Sequence, residues 1–204
     1  MGFVDRAMVG FHRDEEGDWV AELECGHTQH VRHRPPFQPR PWVVDDEQRR
    51  SRLGAPLECP LCDRAEMPDG LQYVRSSEVW DETSAPAGLR RDHRLATGTW
   101  GRLQVTDGQL TFVPGSGWEA DGPAPLGTGS SQTIPPAMAH HVELDGPVRF
   151  RIDFYRVPSP GSEEGGEAVC MAPLVCDDCG ALVNRPDSHR PGCPSAGQVG
   201  RTAL

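Results

Sequence analysis

The chain contains no lysine, and all twenty of its basic residues are arginine. That absence excludes Schiff-base chemistry on lysine, pyridoxal-phosphate attachment and a phosphate-binding P-loop lysine. Long apolar runs are absent too: none approaches the roughly 18 residues that span a bilayer. The opening Met1-Gly-Phe-Val-Asp-Arg6 lacks the apolar core of a secretory leader. Together these predict a soluble cytoplasmic protein with no membrane partner, whose thiols stay reduced. Positive charge is in short supply everywhere. The net charge is −10, with nine Arg against thirteen acids over 1–68, eight against eleven over 69–158, and three against six over 159–204. No segment is basic overall, which argues against nucleic acid as a partner. The one arginine-rich stretch, from Arg32 to Arg52, is diluted by Asp45, Asp46 and Glu47 and reads as a solvated face. No Gly-rich strand-to-helix turn for a nucleotide, Ser/His/Asp order or paired-carboxylate pattern is present.

What is present in quantity is glycine and proline, 23 and 20 of 204 residues. That is high for a helical protein and normal for one built of short strands and turns, so the expected fold class is mainly β. Seven cysteines are present and they are grouped. Cys59-Pro-Leu-Cys62 has a complement upstream in Cys25-Gly-His27. Cys176-Asp-Asp-Cys179 has one downstream in His189-Arg-Pro-Gly-Cys193. Each set supplies three Cys and one His, the ligand count of a closed tetrahedral zinc site. In the first set His30 and His33 compete with His27 for the fourth position. The second set is so compact that metal binding would supply its folding energy. Cys170 is left over, as a substitute ligand or a spare thiol. A closed set leaves no position for water, so both zincs are expected to be structural.

Trp19, Ala21, Leu23 and Cys25 alternate with Val20, Glu22 and Glu24, the period-2 pattern of a half-buried strand. It leads into a tight turn at Cys25-Gly26-His27, with Val31 to Arg34 expected to return. Asp45 to Leu53 is the best helix candidate, started by Asp45 or Asp46 and stopped by Gly54. Asp107-Gly108, between alternating apolar residues, predicts a hairpin turn. Further strands are expected at Ser131–Pro136, His140–Leu144 and Pro147–Tyr155, with a loop over 115–131. The expected organisation is a zinc-ribbon-like module at 1–68, a small barrel at 69–158, an acidic Gly/Pro/Ser linker at 159–169 and a zinc-knuckle-like module at 170–197. No cysteine falls within the barrel.

Ala85-Pro-Ala-Gly-Leu89, Arg91-Asp-His93, Gly98-Thr-Trp100-Gly-Arg-Leu103, Asp107-Gly-Gln-Leu110, Pro136-Ala-Met-Ala-His140-His-Val-Glu143 and Ile152-Asp-Phe-Tyr155 follow one another in order. In that order and spacing they resemble the tellurite-resistance cupin family, over about residues 72–157. The resemblance implies a cupin-like β-barrel whose mouth holds a metal. Pro135-x-Ala137-x-x-His140 is similar to the second cupin motif, with Ala where glycine is usual. His93 stands where the first motif would be, which has lost its second His. The implied site is His93 and His140, completed by Glu143 or His141, holding zinc or iron. Strand parity sets His141 and Glu143 on the face opposite to His140 unless a bulge intervenes.

The N-terminal residues from Phe11 through Leu23, with Cys25 through Pro36, Arg40-Pro-Trp42 and Cys59-Pro-Leu-Cys-Asp63, resemble a small bacterial family labelled pressure-regulated. The function these readings imply is a metal-binding protein of bacterial stress or oxyanion response, of the tellurite or nitrate type. Its barrel would take a metal or a small anion, and a homodimer is compatible with it. The competing expectation is a cupin metalloenzyme, an oxygenase or isomerase, with Arg91, Arg102 or Arg149 gripping a small anionic substrate.

Overall fold

A computed structural model describes residues 4–31, 40–115, 118 and 122–158, together with the backbone of two short strands, Leu174–Val175 and Leu182–Val183. The protein is mainly β. No helix among the described residues is long and apolar enough to cross a membrane.

The first sheet is built by β1 (Asp5–Arg13), β2 (Trp19–Leu23), β3 (Thr28–His30) and β4 (Pro56–Glu58), in the order β3-β2-β1-β4. Between β3 and β4 lies α1 (Asp46–Ser51), and after β4 the single turn α2 (Pro60–Asp63). Asp45 caps α1 by accepting the Gln48 N–H at 2.8 Å. Acids fill its first turn and arginines its last, the arrangement a helix dipole favours. Chain reversal after Cys25 is faster than the alternation implies. The return strand is Thr28–His30, ending before Val31, which is buried.

The second sheet comprises β5 (Gln72–Ser76), β6 (Trp80–Asp81), β7 (Thr99–Pro114), β8 (Ala124–Gly127), β9 (Ser131–Ile134), β10 (His140–Glu143) and β11 (Val148–Arg156). Its order is β10-β7-β11-β5, with β6 on β11 and with β8 and β9 on β7. Asp107-Gly108 is not a hairpin turn. It lies inside β7, which runs unbroken for 16 residues. The register against β11 slips there, from Arg149 opposite Asp107 to Phe150 opposite Val105. The buried positions change parity across the slip: Leu103 and Val105 before it, Leu110 and Phe112 after it. This is a β-bulge at which one strand turns a barrel corner. The first half of β7 pairs with β9 and β11, the second with β8 and β10. Gly108 is required at the bend: its φ is +73°, and a Cβ would sit 2.9 Å from the Val148 Cα and on the Pro147 carbonyl. The 115–131 loop also contains β8, whose one buried residue is Leu126.

Two apolar clusters result. One fills the barrel, with Leu103, Leu110, Phe112, Ile134, Val142 and Phe150 among its members. The other centres on Met8, Leu23, Val43 and Leu57 and also takes in Trp100, fully buried at the start of β7. Trp100 comes from the barrel by sequence, so the two sheets share a packed seam.

Candidate metal centre and histidine pair

Cys25 and His27 lie on the turn between β2 and β3. Gly26 makes that turn with φ +89°, its N–H on the Leu23 carbonyl at 2.8 Å. Cys59 and Cys62 flank the start of α2, where Pro60 occupies the first helical turn and the Cys62 N–H reaches the Cys59 carbonyl at 3.1 Å. Their ligand atoms all lie within 4.8 Å of one another, and all four residues are buried. The Nδ1 of His27 is 3.5 Å from Cys25 Sγ, 3.3 Å from Cys59 Sγ and 3.6 Å from Cys62 Sγ, and Cys25 Sγ is 3.9 Å from Cys59 Sγ. Ligands 2.0–2.3 Å from an ion at the centre of a tetrahedron lie roughly 3.3–3.8 Å apart. The three distances from His27 Nδ1 fall in that range and the Cys25–Cys59 distance lies just above it, close to the spacing of a tetrahedral metal site.

The sulfurs are electrostatically unequal. The hydrogen bond to Cys59, then that to Cys62, then burial push the Cys25 thiol far up. The hydrogen bonds from Cys25 and Cys62 hold Cys59 far down, as a thiolate. Arg6, on β1 and 4% exposed, donates from Nε to Cys62 Sγ at 3.3 Å. Three thiolates around a divalent cation leave one net negative charge, and a buried guanidinium balances it. The same Arg6 donates from Nη2 to the Pro136 carbonyl at 2.7 Å, across to the barrel. Trp100 does likewise from the other side: its indole N–H bonds the Cys25 carbonyl at 2.7 Å, and its ring meets His27 edge-on at 5.5 Å.

The second constellation is the pair His93 and His140. Both are buried, and their rings lie 4.2 Å apart. Their backbones form an isolated antiparallel bridge, each N–H on the other's carbonyl at 3.0 Å. His140 Nδ1 is 2.9 Å from the Met138 carbonyl and His93 Nδ1 is 3.0 Å from the Arg91 carbonyl. A carbonyl only accepts, so each Nδ1 carries a proton. His140 Nε2 is buried without a hydrogen-bond partner. Burial first, and the neighbouring His93 second, push the His140 pKa down to about 3, so the ring is neutral. A backbone carbonyl on one ring nitrogen and a bare lone pair on the other is how proteins orient histidine toward a metal. Phe112 stacks on His140 at 5.6 Å.

The structure brings together Cys25, His27, Cys59 and Cys62, and separately His93 and His140. His30 is elsewhere, 3.3 Å from Asp14. Glu143 does not join the pair. It is exposed and lines a surface depression with Gly108, Thr111 and Pro147. His141 points away too, its Nδ1 2.8 Å from Asp92. No bulge resets the parity of β10, since its pairing with β7 is continuous from His140 to Glu143. The side chain of Arg102 lies over Tyr155 and reaches Met67, while Arg91 and Arg149 are exposed. His33, Cys170 and the set Cys176, Cys179, His189 and Cys193 lie outside the described residues.

Arg6 and Trp100 were not apparent as partners of the metal centre. Arg6 had one visible signal: it shares with Met8 the inward parity of an otherwise apolar β1 face. A charge at such a position needs a buried counter-charge. Trp100 carried no signal beyond its size, because its partner is 75 residues away.

Residues 9–66 match the family described as "Protein of unknown function (DUF3565)", and residues 75–152 match the family described as "TehB-like domain". No curated protein matches the chain. A crystal structure of a protein from E. coli (strain K12) is similar at 26% identity over 45% of this chain and 96% of that one, with a TM-score of 0.40. TehB from Haemophilus influenzae is similar at 23% identity over 43% of this chain, with a TM-score of 0.39. The shared part is 32% of the TehB chain, about a third of its length. A cupin protein from Bacteroides fragilis is similar at 17% identity over 46% of this chain and 73% of that one, with a TM-score of 0.31. The chain therefore carries a DUF3565 domain at 9–66 followed by a TehB-like domain at 75–152.

Proposed function

We propose that this is a metal-binding protein of the bacterial cytoplasm, with a structural zinc in the Cys25/His27/Cys59/Cys62 centre and a ligand site at His93/His140. The observation that carries it is four buried donors close to tetrahedral spacing with a buried arginine against one sulfur. Three thiolates and an imidazole are a donor set that suits zinc, and the reduced, unpaired state of Cys25, Cys59 and Cys62 suits a reducing compartment. A second zinc in the Cys176/Cys179/His189/Cys193 set belongs to the same proposal.

Between a metal and a small anion in the barrel, the histidine chemistry favours the metal. The His140 Nδ1–H is spent on the Met138 carbonyl and its Nε2 has no hydrogen-bond partner, so that ring offers a lone pair and no free donor. An anion needs donors, and the low pKa of His140 withholds them at neutral pH. The role in a tellurite- or nitrate-type oxyanion response rests on the TehB-like match. In this reading an oxyanion would reach the barrel through a bound metal, not through bare imidazoles.

One observation favours a second reading, a cupin metalloenzyme such as an oxygenase or isomerase. Among the described residues no third His, Cys, Asp or Glu joins His93 and His140. A metal held by two protein ligands keeps positions open for a small substrate.

Elemental analysis of the purified chain tests the proposal. One zinc is expected to disappear in Cys59→Ser, and a separate metal, when present, in His140→Ala. A protein purified under reducing, chelator-free conditions that retains no metal sensitive to Cys59→Ser would overturn it.

A further inference from the structure

The metal centre and the histidine pair occupy different sheets, yet one side chain touches the machinery of both. Arg6 holds the Cys62 sulfur through Nε and the Pro136 carbonyl through Nη2. Pro136 opens the turn that delivers His140. The next residue, Ala137, sits at φ +55°, a left-handed conformation that is strained for a non-glycine residue. That turn is tied down from several sides. The Ala137 N–H bonds the Leu95 carbonyl at 3.0 Å, the Arg94 side chain donates to the Ala137 carbonyl at 3.2 Å, and Arg6 holds Pro136. The product of the turn is the Met138 carbonyl, which fixes the proton of His140 on Nδ1 and leaves Nε2 bare.

We infer that Arg6 is a positioning residue through which occupancy of the Cys25/His27/Cys59/Cys62 centre sets the orientation and metal affinity of the His93/His140 pair. This rests on the reading that the four-residue centre holds an ion. With the ion bound, Cys62 is a thiolate at a fixed point, and the rigid guanidinium fork transmits that point to Pro136. With the centre empty, the fork keeps its charge and loses its fixed partner. The strained turn then loses one restraint, and the Met138 carbonyl no longer holds the His140 tautomer. Coupling of this kind is reciprocal: a metal at the histidine pair tightens the distant centre by the same factor.

The test is nitrogen-15 NMR of the imidazole rings in the full chain, with zinc counted on the same samples. In the zinc-loaded wild type, His140 is expected to show one tautomer, protonated at Nδ1. In Arg6→Gln, which retains zinc, and in wild type stripped by a chelator, its signal is expected to average between tautomers, while His12 is unmoved. Affinity for added Ni(II) at the pair, read as the Ni(II) signal lost in His140→Ala, is expected to fall about five- to twentyfold in Arg6→Gln. Where Arg6→Gln does not fold, Arg6→Lys is used. Lysine keeps the charge but cannot span both acceptors, so the same averaging is expected. An unchanged His140 tautomer in the arginine variant and in the stripped protein would overturn the inference. The zinc count separately reports on the reading beneath it.

Discussion

Replacing Cys62 by alanine does more than delete a ligand. Arg6 is buried and its guanidinium lies 3.3 Å from the Cys62 sulfur, so the substitution leaves a buried cation facing a methyl group. With an ion in the centre Cys62 is a thiolate, and removing one partner of such a buried charge pair costs about 3–5 kcal/mol. That is a large share of the 5–15 kcal/mol that holds a typical domain together. Arg6→Met alone loses a charge-assisted hydrogen bond and leaves the Pro136 carbonyl without this donor, together about 2–4 kcal/mol. The double variant removes the cation along with its counter-charge, so it should be less destabilised than the sum of the singles by about 1–3 kcal/mol. The assay is urea unfolding of all four proteins at one buffered, saturating free-zinc concentration. Wild-type stability should also climb with free zinc by about 1.4 kcal/mol per decade above the dissociation constant, and this slope should vanish in Cys62→Ala. Single costs that add to the double within about 0.5 kcal/mol would show that Arg6 does not feel the thiolate.

Gly108→Ala should cost at least about 3 kcal/mol in the same assay, because the added Cβ meets backbone atoms at positive φ. Gly127→Ala, where a Cβ meets nothing within 4 Å, should cost under about 1 kcal/mol. Acid should destabilise the barrel through His140. Its folded pKa of about 3 lies below the ordinary value of 6.5, so the folded state binds fewer protons than the unfolded chain between those values. The contribution is complete above pH 6.5 and is lost as pH falls toward 3, on the order of 5 kcal/mol in all. Urea midpoints of His140→Gln should lack that part of the pH dependence. Glu143→Gln should leave any metal held by the histidine pair in place, as elemental analysis would show, because Glu143 is exposed on the outer face of β10.

Features written in neighbouring residues were legible. The C-x-x-C knuckle, the Cys25-Gly26-His27 turn and the capped helix at Asp46–Ser51 each follow from a few adjacent side chains and a glycine. The Asp107-Gly108 signal was misleading for a physical reason. A two-residue turn and a β-bulge both ask for a glycine at positive φ between alternating apolar residues. What separates them is the partner strand, here β11, about forty residues away. The change of buried parity from Val105 to Leu110 was in the sequence all along, and it is the mark of a bulge. Glu143 shows the same dependence in reverse: the alternation of β10 alone sets it opposite to His140, whatever motif it belongs to.

The least legible part is the seam between the two sheets, and the reason lies in what a closed metal site demands. Four buried ligands enclosing a divalent cation satisfy the ion but leave the site with excess negative charge and unpaired carbonyls around it. Those needs are met by whatever donors lie nearest in space, and sequence spacing places no constraint on them. Arg6 meets the first from 56 residues before Cys62, and Trp100 meets the second from 75 residues after Cys25. The two residues that satisfy the centre also reach the barrel, Arg6 through Pro136 and Trp100 through its place in β7, so neither could be read from the local sequence of the first module.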